Sequence, residues 1–118
     1  MTQFRYFRMP GGRRATAAYD IKQDGETVTI HAGISYRSPR DKYIKGYGEA
    51  KAKGRLTQIK MADGFNLVRQ DPEKYVVLTI NNQPQEKVVQ EFETLLEIIV
   101  RGFVPAAERS SSIGKGNG

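Results

Sequence analysis

The chain has 118 residues, carries 19 basic against 13 acidic side chains for a net charge of +6, and contains no cysteine. That size suits one domain around one core, and the missing cysteines exclude disulfides and thiolate metal sites. No apolar run approaches the roughly 18 residues of a membrane span, and residues 1–5 lack a signal-peptide core, so a cytoplasmic protein without a membrane partner is expected.

Gln3 to Met9 reads as the first strand, with Phe4 and Tyr6 on one face and Arg5 and Phe7 on the other. Pro10-Gly11-Gly12 breaks it. Asp24-Gly25 is a strong two-residue turn signal, because glycine accepts the positive φ that such turns need. A turn centred there pairs Gln23 with Glu26, Ile21 with Val28, Tyr19 with Ile30 and Ala17 with Ala32. The last three pairs make one apolar face, which Ile34 and Tyr36 continue. Ser38-Pro39-Arg40-Asp41 predicts a helix start: serine caps the free amides, proline suits the first helical position, and an acid follows three residues after the cap. Tyr43, Tyr47, Ala50 and Gly54 then share one helical face, while Gly46 and Gly48 weaken the helix and Gly54 ends it. Residues 39–54 are thus expected to form a short basic helix or a basic loop.

Arg55 to Met61 alternates like a strand, Ala62-Asp63-Gly64 reads as a turn, and Phe65 to Arg69 as another strand. Lys74 to Ile80 is the most strand-like run, rich in β-branched and aromatic residues. Asn81 to Pro84 closes it and opens a helix whose buried stripe is Val88, Val89, Phe92, Leu95, Leu96, Ile99 and Phe103. Ile98 and Val100 widen that apolar arc, which implies either a deep core or a homodimer contact through this helix. Residues 105–118 are too polar to order themselves and are expected to be a disordered tail. The fold class expected is α+β: residues 1–104 form one domain, an antiparallel sheet of five to six strands with the C-terminal helix packed on one face.

The charge is unevenly spread. Residues 1–60 hold 13 basic and 5 acidic side chains, whereas residues 61–118 hold 6 and 8. Residues 37–60 alone hold 8 basic and 2 acidic, a net +6. Such clustering suits a phosphate-rich partner.

Most enzyme chemistry fails on inventory, and no enzyme activity or cofactor is expected. His31, the sole histidine, lies on a strand beside Ile30 and reads as a solvated or hydrogen-bonded residue. Gly46-Tyr47-Gly48 lacks both the preceding strand and the third glycine of a dinucleotide loop. Glu49-Ala50-Lys51 matches the acid and lysine of a magnesium nuclease, but on a helix or loop instead of the strand that would make both side chains converge.

Two features point to nucleic acid, single-stranded or bound without sequence preference. In the basic segment, Arg37, Arg40, Lys42, Lys45, Lys51, Lys53 and Arg55 are candidate phosphate contacts. In the run Phe4-Arg5-Tyr6-Phe7-Arg8, continued by Arg13 and Arg14, arginines alternate with aromatics as in single-strand-binding sheets. Phe7 is the expected stacking ring there, with Arg5, Arg13 and Arg14 on phosphate, because Phe4 and Tyr6 are expected in the core.

Ser38-Pro39-Arg40-Asp41-Lys42-Tyr43, running through Gly46, Ala50 and Gly54-Arg55-Leu56, resembles a pattern in small bacteriophage and mobile-element proteins. There a Ser or Cys, a basic residue, Asp and an aromatic precede a closing Gly-Arg-Leu; Gly48 departs from the pattern. The resemblance covers about 20 residues. It implies a phage-type protein that binds nucleic acid or, alternatively, inhibits or adapts a host protein such as a nucleic-acid enzyme or defence complex.

Overall fold

Two strands of equal length carry the molecule. In the computed structural model, which describes residues 1–37, 45–61 and 64–103, β2 (Arg14–Asp24) and β3 (Thr27–Arg37) form a long hairpin. The shorter β1 (Gln3–Arg8) pairs with β2, and β4 (Tyr75–Asn81) pairs with β3, giving an antiparallel sheet in the order β1-β2-β3-β4. Helices α1 (Lys45–Met61) and α2 (Gly64–Gln70) lie between β3 and β4 in sequence, and α3 (Gln85–Arg101) follows β4. The expected α+β fold with its C-terminal helix is present. The sheet has four strands among the described residues, not five to six.

The hairpin register differs by two residues from the expected one. Asp24 faces Thr27, Gln23 faces Val28, Ile21 faces Ile30, and Ala17 faces Ile34. The loop residues are therefore Gly25 and Glu26, with a positive φ of 63° at Gly25. This is the II′ pattern, which needs the left-handed conformation at its first position alone. A turn centred on Asp24-Gly25 would have forced Asp24 into that region, where a Cβ is penalised. A slip of two preserves which face each side chain takes, so the apolar pattern cannot detect it.

One face of the sheet is covered by α3. Val88, Phe92, Leu96 and Val100 are fully buried against Ala17, Val28, Ile30, Ala32 and Ile34, with Phe7, Ala15, Tyr19 and Val76 in the same core. Each large side chain buried here is worth roughly 1.5–3 kcal/mol. Tyr36 stacks on Phe103 just past the helix, with centroids 3.8 Å apart, and donates to the carbonyl of Glu73 at 2.6 Å. Val100 lies inside this core, and only Ile98, 65% exposed, remains outside it.

The opposite face takes α1. Ala52, Leu56 and Ile59 are buried on Ala18, flanked by Phe4, Leu67, Val68, Tyr75 and Val77. The expected contact stripe is instead on the outside: Tyr47 is 71% exposed and Ala50 is exposed. The sheet explains why. Beneath the helix it presents Ala18, Gly33 and Ser35, and a Cβ at Gly33 would meet the backbone nitrogen of Leu56 and, at 2.5 Å, the carbonyl oxygen of Ala52. Backbone-to-backbone nesting of this kind admits small residues at the closest approach and has no room for tyrosine. Gly48 serves the same approach: the Ser35 hydroxyl donates to its carbonyl at 3.0 Å.

Gly54 does not end the helix, which continues to Met61. Arg55 to Met61 is therefore helical and not a strand, because Ala52, Leu56 and Ile59 fall at the spacing of one helical face. Phe65 to Arg69 is also helical, within α2, whose Leu67 and Val68 extend the same cluster. Residues 38–44, with the expected helix start, and the tail 105–118 lie outside the described residues.

Candidate functional site

The β1–β2 connection is set by Pro10-Gly11-Gly12, where Gly11 and Gly12 take φ of 78° and 79°. Met9 N–H donates to Arg13 O across it at 2.9 Å. This turn places Arg8 opposite Arg14, and the β2–β3 register places Arg14 opposite Arg37. Directly paired residues on neighbouring strands project from the same face. Arg8, Arg14 and Arg37 thus make one row across three strands at one end of the sheet. With strands about 4.8 Å apart, the row spans roughly 10 Å. Arg8 is exposed, Arg14 and Arg37 are half-buried, and Arg13 sits half-buried at the turn.

The row lies on the α1 face. The next row inward is Tyr6, Thr16 and Ser35, and the N-terminal part of α1 comes down on it through Gly48. From there the helix runs away from the arginines: Ala52 and Leu56 cross Gly33, and Lys60 ends beside Asp20. The positive end of the helix dipole therefore points toward the arginine row. The described residues also divide by charge between layers. Helix α1 carries Lys45, Lys51, Lys53, Arg55 and Lys60 against Glu49 alone, while α3 carries Glu86, Glu91, Glu93 and Glu97 against Lys87 and Arg101.

The basic residues singled out from sequence are not all in one place. Arg14 and Arg37 are in the row with Arg8, and Arg13 adjoins it. Arg55 is half-buried and donates to the carbonyl of Ile34, which ties α1 to β3. Lys51 and Lys53 are exposed on different flanks of α1. Lys53 belongs with Glu49 and Lys60, whose side chains meet Tyr6 and Asp20 on the β1–β2 side. Lys51 belongs with Gln58, which accepts from Tyr75 of β4 at 2.7 Å. Lys45 is the first residue of α1. Arg40 and Lys42 lie outside the described residues.

Arg5 and Phe7 are on the α3 face, away from the row. Phe7 is only 7% exposed, with the Arg5 guanidinium 5.5 Å from its ring centroid, and Arg5 pairs with Glu93 of α3. Phe7 is therefore a core ring and not an available stacking surface. The two aromatic faces of β1 are exchanged relative to expectation: Tyr6 is 45% exposed and Phe4 half-buried, both toward α1. Cross-strand partners decide this. Phe7 faces Ala15 on the apolar side of β2, whereas Tyr6 faces Thr16. Arg8 is not among the expected phosphate contacts, and Tyr6 is expected in the core. The signal was present, since folding residues 3–19 symmetrically about Gly11 pairs 8 with 14 and 6 with 16.

At the far end of the α1 face, Asp20 pairs with His31 and receives Lys60. Burial works to raise the Asp20 carboxyl, but hydrogen bonds from Lys60 and Thr2 and the Lys60 charge outweigh it and hold the group below 3.8. Burial lowers His31 below 6.5, helped by Lys60 and Lys22 and opposed by Asp20. Among the described residues no group of three or more His, Asp or Glu is placed to hold a metal ion. No family model, curated protein or solved structure matches the chain.

Proposed function

We propose that the protein binds the nucleic-acid backbone, with the arginine row as the phosphate contact. The observation that carries this reading is the direct cross-strand pairing of Arg8, Arg14 and Arg37. Guanidinium forks brought together in this way suit phosphate oxygens. The basic α1 layer and the helix end facing the row add to an attractive field on that side, while acidic α3 makes the other side repulsive. Lys51 and Lys53, exposed on α1, add to that field. Such contacts grip backbone and carry little sequence information.

The test is the affinity of a labelled oligonucleotide across a series of salt concentrations. The logarithmic slope should be about −0.7 to −0.9 per phosphate neutralised. Replacing Arg8 by Ala and Arg37 by Gln together should make the slope shallower by about two such increments. Lys87→Ala with Arg101→Ala, on α3, should leave it unchanged. An unchanged slope in the Arg8/Arg37 variant, with its melting intact, would remove the row from the binding surface. Absence of binding at low salt would remove the nucleic-acid reading and favour an acidic protein surface as partner.

A further inference from the structure

Beside the cations stands a ring. Tyr6 is two residues from Arg8 on the same face of β1, about 7 Å inward from the row. Thr16 and Ser35, its companions across β2 and β3, are covered by Gly48 of α1. Tyr6 is on the edge strand, and the residue is 45% exposed. Its hydroxyl donates to Glu49 on α1, which tethers the ring between strand and helix. A tethered ring spends less entropy on stacking than a free one.

We infer that Tyr6 stacks on an unpaired base and gives the protein a preference for single strands. The inference rests on the backbone-binding reading above. With phosphates along Arg8, Arg14 and Arg37, a single strand can turn one base inward onto the neighbouring ring. A duplex keeps its base faces stacked and paired, and exposing one costs a few kcal/mol. The same arginines therefore hold both forms, and Tyr6 adds binding only to the single strand. Glu49 holds the ring but also puts a carboxylate near the phosphate path. Glu49→Gln, which keeps an acceptor for the tyrosine and removes the charge, should tighten both forms.

The test measures binding of one sequence as single strand and as duplex at a fixed salt concentration. Wild type should prefer the single strand. Tyr6→Leu should weaken the single strand roughly 5- to 150-fold and change the duplex little. Arg8→Ala should weaken both. The protein contains no tryptophan, so Tyr6→Trp places a lone reporter at the site, and its emission should be quenched when single strand saturates the protein. Equal loss in both forms on Tyr6→Leu, or unquenched emission from Tyr6→Trp, would overturn the stacking role. If Arg8→Ala still weakened both, the backbone reading would survive that result. Failure of wild type to bind either form would overturn both.

Discussion

The sheet is covered by two helices that do opposite things. Helix α3 buries bulky side chains, Val88, Phe92, Leu96 and Val100, on a face built from Ile30, Ile34 and Val28, and turns carboxylates outward. Helix α1 buries little beyond Ala52, Leu56 and Ile59, lies almost backbone to backbone on Gly33, and turns lysines outward. The α3 layer holds most of the apolar core. The α1 layer borders the proposed site: its first turns come down beside the arginine row. The bulk of the core and the proposed binding surface thus lie on opposite sides of one sheet.

Perturbations of the two layers should differ in kind. The largest effect belongs to the α3 side, where Phe92→Ala should cost about 3–5 kcal/mol in urea denaturation, because a fully buried ring leaves a cavity. A loss below 1 kcal/mol would mean that α3 is not the main source of core energy. Gly33→Ala tests the α1 side. Its added methyl meets backbone atoms and not a flexible side chain, so overpacking should cost about 1–3 kcal/mol and move α1 off the sheet. It should also weaken oligonucleotide binding, which Ile98→Ala, at an exposed position on α3, should not.

The smallest effect is a pH dependence on the α1 face. His31 is held below 6.5, so the folded state binds its proton less readily than the unfolded chain. Its contribution is present above pH 6.5 and is lost as pH falls through the lower folded value. Asp20, held below 3.8, behaves the same way in a more acidic window and so does not obscure it. Urea midpoints of His31→Gln should fall less than those of wild type on acidification from neutral pH to about pH 5. Parallel curves for the two proteins would show that burial of His31 does not perturb it.

The elements that fill the α3 side were legible in the sequence because bulky stripes advertise themselves. Val88, Phe92 and Leu96 repeat at helical spacing, and Val28, Ile30 and Ile34 alternate as a strand must. The α1 side was not. A helix that nests on Gly33 and Ala18 contacts the sheet through small residues, so its exposed tyrosine looked more apolar than its buried alanine. Leu56 and Ile59, three residues apart, share one face of a helix and would take opposite faces of a strand, and Ala52 completes that helical face. The candidate site was half legible. Arg14 and Arg37 were identifiable as basic residues, but the two-residue slip at Gly25 placed Arg37 opposite Gly12 and hid the row. Register is a tertiary property here, since turn chemistry fixes it and the apolar pattern does not.

The proposed binding surface is the arginine end of the α1 face. Titrating isotopically labelled protein with a short oligonucleotide and following its backbone amide resonances tests this residue by residue. Shifts should concentrate at Arg8, Arg14 and Arg37, extend to Tyr6, Thr16 and Gly48, and fade toward Asp20 and Lys60. Amides of α3, including Phe92 and Leu96, should stay in place. Shifts centred on α3, or spread evenly over both layers, would contradict it.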